Sequence, residues 1–107
     1  MLVLSPWIYT DPVPDSEWTF LTNHAHVILC VAREPGMLVR EIARKVGITE
    51  RAAQRILADL IADGYVDKER EGRRNRYRIH RDRPLRHPLE RHHSIGELLA
   101  TLGDPPA

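Results

Sequence analysis

The stretch Val39-Arg40-Glu41-Ile42-Ala43-Arg44-Lys45-Val46-Gly47-Ile48-Thr49-Glu50-Arg51-Ala52-Ala53-Gln54-Arg55-Ile56 decides the fold. Val39, Ile42, Ala43 and Val46 recur at i, i+3, i+4 and i+7, which predicts a helix over 39–46. Glu41 and Lys45 make an i, i+4 pair on its exposed side. Gly47 ends it, as glycine at C′ commonly does. Only Ile48 and Thr49 precede the next helix, over 50–63, with Thr49 as N-cap and Glu50 in the first turn. Ala53, Ile56, Leu57, Leu60 and Ile61 form its apolar face, and Gly64 stops it. The small Ala43 lets the two helices approach closely. Val46, Ile48, Ala53 and Ile56 fill the joint between them.

Upstream, Asn23 is placed to cap a helix over 24–34. Ala25, Ile28, Leu29 and Ala32 give its stripe, widened by Val27, Cys30 and Val31 until most sides are apolar. Glu34-Pro35-Gly36 ends it. Downstream, strands over 65–69 and 75–80 flank a turn over 70–74. Tyr77 and Ile79 face one way, and Arg76, Arg78 and His80 the other, the period-2 alternation of a half-buried hairpin. Residues 81–93 are polar, carry Pro84 and Pro88, and read as an extended linker. Ser94-Ile95-Gly96-Glu97 has capping-box spacing. Ile95, Leu98, Leu99 and Leu102 then line one face of a short helix that Gly103 ends.

The central stretch resembles a helix-turn-helix. Leu57-Ala58-Asp59-Leu60-Ile61-Ala62-Asp63-Gly64-Tyr65-Val66 is similar to the close of a winged-helix recognition helix. Glu71-Gly72-Arg73-Arg74-Asn75-Arg76-Tyr77-Arg78-Ile79 looks like its arginine-rich wing. Over about residues 23–80 the pattern resembles small bacterial winged-helix transcription regulators of the MarR and ArsR types. The resemblance implies a mainly α fold, a three-helix bundle with a small β-hairpin wing. It also implies DNA binding as a homodimer, usually for repression, and it supplies no effector. Three parts are expected: an apolar N-terminal arm over 1–22, the winged helix-turn-helix over 23–83, and a linker with a short C-terminal dimerisation helix over 84–107.

Chemistry at the proposed recognition helix fits that reading. With its apolar face committed to the core, Thr49, Glu50, Arg51, Gln54 and Arg55 remain on the other side. Arginine can bind guanine O6 and N7 bidentately, and glutamine can read adenine N6 and N7. Thr49 can cap the helix and still offer its hydroxyl to a phosphate. Glu50 is either a cytosine reader or a first-turn charge, the second being preferred. From Lys68 to Arg81 seven basic residues stand against Glu69 and Glu71. Arg73 and Arg74 at the wing tip, with Arg76 beside them, are candidate phosphate or minor-groove contacts.

Charge patterning agrees. The net charge is +1, but residues 38–83 carry the excess of cations while both flanks are acidic. Local sign matters more than the total to a polyanion. At 107 residues and 42% hydrophobic, the chain has the size and composition of one globular domain. So short a domain has limited surface to bury, which makes a second subunit plausible. Residues 1–17 hold Pro6, Pro12 and Pro14 and yet Leu2, Val3, Leu4, Trp7, Ile8 and Tyr9. Such an arm packs on its own domain or on a partner. Trp7, Ile8 and Tyr9, with Ile95, Leu98, Leu99 and Leu102, are therefore the candidate dimer interface.

Other classes find little support. No stretch approaches the ~20 apolar residues of a membrane span, and the start lacks a basic n-region. The lone Cys30 reads as a small buried thiol, and a cytoplasmic setting is expected. His24 and His26 stand two apart and face different sides of a helix. His87, His92 and His93 lie in or near the linker with Glu90 close by. A His/Glu metal site bridging two subunits is one reading, and exposed loop histidines are the preferred one. No phosphate-binding glycine loop or catalytic constellation is present, so no cofactor and no enzyme activity is expected. The competing function is a winged-helix protein-interaction module without specific DNA readout.

Overall fold

In a computed structural model, residues 17–103 are described. They form α1 (Asn23–Arg33), α2 (Val39–Val46), α3 (Glu50–Ala62), β1 (Val66–Glu71), β2 (Arg74–Ile79) and α4 (Ile95–Leu102). The three-helix bundle with a two-stranded antiparallel wing is the expected winged-helix architecture. Among the described residues no helix is long and apolar enough to cross a membrane.

Several local features differ from the sequence reading. The cap of α1 is Thr22, whose hydroxyl accepts from Ala25 N–H at 3.3 Å, while the Asn23 side chain meets His26 instead. Two adjacent polar residues can each serve an N-cap, and backbone conformation chose the first. The Glu41 carboxylate accepts from Leu38 N–H at 3.3 Å, the reach-back half of a capping box, in place of the expected pairing with Lys45. The hairpin is longer and tighter than expected. Glu71 pairs with Arg74, so the loop is only Gly72-Arg73. Gly72 has a φ of 64°, and glycine at the first central position suits the two-residue turns that match strand twist.

One core holds the bundle. Val27, Ile28 and Val31 of α1, Ile42 and Ala43 of α2, and Ala53, Ile56, Leu57 and Leu60 of α3 are buried. Tyr65, Val66 and Tyr77 seal its wing side, and among the described residues no polar or charged residue is buried with them. Gly47 adopts a left-handed φ of 87° and donates to the Ala43 carbonyl at 2.8 Å, turning the chain from α2 into α3. Tyr77 N–H donates to the Pro35 carbonyl at 3.0 Å, tying β2 to the α1–α2 connection. Cys30 is half-buried rather than buried, and its desolvation still pushes the thiol above its ordinary pKa.

The C-terminal part corrects the sequence reading most. Residues 84–93 are a closed loop instead of an extended linker. Leu85 N–H donates to His93 O at 2.9 Å, Ile95 N–H to Arg83 O at 2.8 Å, and Pro84 bridges Ser94. Arg83 Nε and Arg86 Nη1 both reach Asp63 at the end of α3, and Tyr65 donates its hydroxyl to the Pro84 carbonyl. The loop brings α4 back onto its own domain. Ile95 and Leu99 enter the core and Leu98 packs at its edge, leaving Leu102 36% exposed. Gly96 sits against the chain that leaves β2, where an added Cβ would lie 2.6 Å from the Arg81 carbonyl.

Candidate nucleic-acid interface

The N-terminal half of α3 presents Arg51, Gln54 and Arg55 to solvent, while Ala53, Ile56 and Leu57 face the core. The 3.6-residue repeat produces this division, because one helix cannot turn both stripes inward. Among the described residues neither arginine has a carboxylate within ion-pair range. The Thr49 hydroxyl accepts from Ala52 N–H at 3.0 Å, and its own proton stays free to donate outward. Glu50 is exposed in the first turn. Asp59, farther along α3, meets His24 of α1 at 2.9 Å.

The wing divides its cations by register. Antiparallel pairing sets Asp67 opposite Arg78, Glu69 opposite Arg76 and Glu71 opposite Arg74. Alternation places these six on one face. Arg78 contacts Asp67 at 3.1 Å and Glu69 at 3.9 Å, Arg76 contacts Glu71 at 3.7 Å, and His80 adds a 2.8 Å contact to Asp67. Hydrogen bonds from Arg78, then His80, hold the Asp67 carboxyl below its ordinary pKa. The middle of the wing is thus locally neutralised. Among the described residues Arg73 and Arg74 at the tip have no carboxylate partner. Arg76, grouped with them in the sequence reading, has one.

Two further exposed cations escaped the sequence reading. Arg40 and Arg44 stand one turn apart on α2, on the side away from Ile42 and Ala43. The i, i+4 spacing of two arginines opposite the apolar stripe is the signal that reveals them.

Three of the six histidines each meet one carboxylate. His24 meets Asp59, His80 meets Asp67 and His93 meets Glu97 at 2.6 Å. The His93 contact, followed by the Ser94 N–H, lowers the Glu97 pKa. Among the described residues no three potential ligands converge on a metal position. Of the candidate dimer residues, Ile95 and Leu99 are buried within the chain. Leu98 and Leu102 keep exposed surface, and Trp7, Ile8 and Tyr9 lie outside the described residues.

A family model described as MarR family matches residues 19–76, more than half of the chain. The protein belongs to the MarR family. Eight chains of solved structures also match it. One is the zinc-dependent MarR family transcriptional regulator AdcR, in its Zn(II)-bound state. It is similar at 21% identity and a TM-score of 0.44, over 60% of this chain and 46% of that one. This MarR-family chain therefore matches less than half of that regulator's length. No curated protein matches the sequence.

Proposed function

We propose that this MarR-family chain is a sequence-specific regulator of transcription that binds double-stranded DNA as a homodimer and represses. The observation that carries the reading is the exposed trio Arg51, Gln54 and Arg55 on the N-terminal half of α3, free of carboxylate partners among the described residues. In this reading α3 lies in the major groove. The arginines take guanine edges, Gln54 takes adenine, and the Thr49 hydroxyl donates to a phosphate. Arg73 and Arg74 meet the backbone or the adjoining minor groove, and Arg40 and Arg44 flank the groove as phosphate contacts. The protein acts by occupancy rather than by catalysis, as regulators of its family do.

Homodimerisation uses the exposed side of α4, centred on Leu102. A two-fold axis there sets two α3 helices on successive turns of the duplex, about 34–36 Å apart, so the target is a pseudo-palindrome. The test is selection from a random duplex pool by the purified full chain. Enrichment of a two-fold-related site supports the proposal. Recovery of no preferred sequence, with binding that ignores salt, would favour the protein-interaction module.

A further inference from the structure

A groove of about 410 Å³ runs between the first turn of α1, the last turns of α3, the 84–93 loop and α4. Its walls are largely apolar, from Leu21, Ala25, Ile28, Leu60, Leu85 and Leu98. Phe20 forms its lip and is 92% exposed, with Trp18 packed edge-on against it at 5.0 Å and 65% exposed. An aromatic pair left this open beside an apolar groove marks a surface that something covers.

We propose that the groove is the seat of the chain's own N-terminal arm, with Trp7-Ile8-Tyr9 folding back over Phe20 to fill it. The place where the described chain begins supports this occupant. Phe20, Leu21 and Thr22 line the groove, so residues 1–16 start within a few residues of its lip. Tethering at that point gives the arm a high effective concentration at the groove that no free partner matches. Thirteen residue-to-residue steps lead from Trp7 to Phe20 and can span up to about 43–47 Å, ample for a reversal that Pro12 and Pro14 favour. The content of the arm fits as well. It holds Leu2, Val3, Leu4, Trp7, Ile8, Tyr9 and Val13, with Asp11 and Asp15 as its only charged side chains. An arm without cations has no attraction to a DNA backbone, and its apolar residues match apolar walls. The volume lies near the low end of ligand-pocket size, the scale of aromatic side chains rather than of a whole domain. Trp7, Ile8 and Tyr9 then belong to the fold of one chain and not to a dimer contact.

The test uses the full chain with Trp18→Phe, which leaves Trp7 as the only tryptophan and keeps an aromatic ring against Phe20. Trp7 fluorescence is expected to be blue-shifted, and its quenching by acrylamide several-fold weaker than in the urea-unfolded chain. Both properties should hold on dilution from tens of micromolar to submicromolar protein. Ala25→Arg, which puts a long cation into the groove, should restore exposure. Leu98→Gln makes the same comparison by a milder change, and circular dichroism checks that each variant is folded. Trp7 as accessible as in the unfolded chain overturns the proposal. So does shielding that survives both groove substitutions, which places the arm elsewhere. Shielding lost on dilution also overturns it, because the occupant is then the arm of a second copy. None of these readouts involves DNA, so they stand or fall separately from the regulator reading.

Discussion

Arg74 and Arg76 stand two residues apart on the same face of β2, and a carboxylate separates their roles. Arg76 Nε lies 3.7 Å from Glu71, whereas Arg74 has no such partner among the described residues. Arg73→Ala and Arg74→Ala are expected to weaken binding to most duplexes alike. Each should flatten the slope of log affinity against log salt by about one. Arg76→Ala should change that slope much less; an equal loss from all three would place Arg76 on the DNA. Asp67 supplies a pH-dependent test. Its pKa is lowered in the fold by Arg78 and His80. Its contribution is therefore present above the ordinary carboxylate range and disappears as pH falls through the folded value. Denaturant titrations of wild type and Asp67→Asn should differ at neutral pH and converge in acid. A gap that widens in acid would contradict the assignment.

At the scale of elements, α4 carries the sharpest stability test. Eight residues do not persist as an isolated helix, so α4 depends on the burial of Ile95 and Leu99. Leu99→Ala should cost about 2–5 kcal/mol by urea denaturation. Leu102→Ala, at an exposed position, should cost well under that in the monomer, and equal losses would mean that α4 docks differently. The same helix shows where sequence reading stops. Its face was legible from Ile95, Leu98, Leu99 and Leu102, because helical periodicity is local. Its destination was not, because an apolar face records that it is covered and not by what. The closing contacts, Ile95 to Arg83 and Leu85 to His93, arise between residues whose types carry no signature of pairing. The wing behaved likewise. Its alternation exposed Tyr77 and Ile79 as inward residues, but the ladder of Asp67, Glu69 and Glu71 against arginines depends on a two-residue turn. The course of the central helices was legible, since Thr49, Gly47 and the two apolar stripes each act within a few residues, whereas the Glu41 reach-back to Leu38 was not. Among the proposed DNA contacts, Arg51, Gln54 and Arg55 could be read because they are what remains when the core stripe is removed from α3.

For the whole molecule, the proposed dimer rests on α4 once the arm is assigned to the groove. Leu102→Asp leaves Ile95 and Leu99 in place and should shift sedimentation equilibrium toward monomer while the fold survives. DNA affinity should fall with it, since each half-site then binds alone. A wild type that is monomeric at tens of micromolar would contradict the dimer, and an unaffected Leu102→Asp dimer would move the interface elsewhere. Removing residues 94–107 is expected to unfold the domain, because it takes Ile95 and Leu99 from the core. The proposed function requires α3 to read DNA. Its most direct test is titration of a selected duplex with wild type, Arg51→Ala, Gln54→Ala and Arg55→Ala. Each arginine variant should lose about 1–3 kcal/mol on the preferred site and relax one base position per half-site. Wild-type affinity and unchanged base preference in all three variants would contradict it.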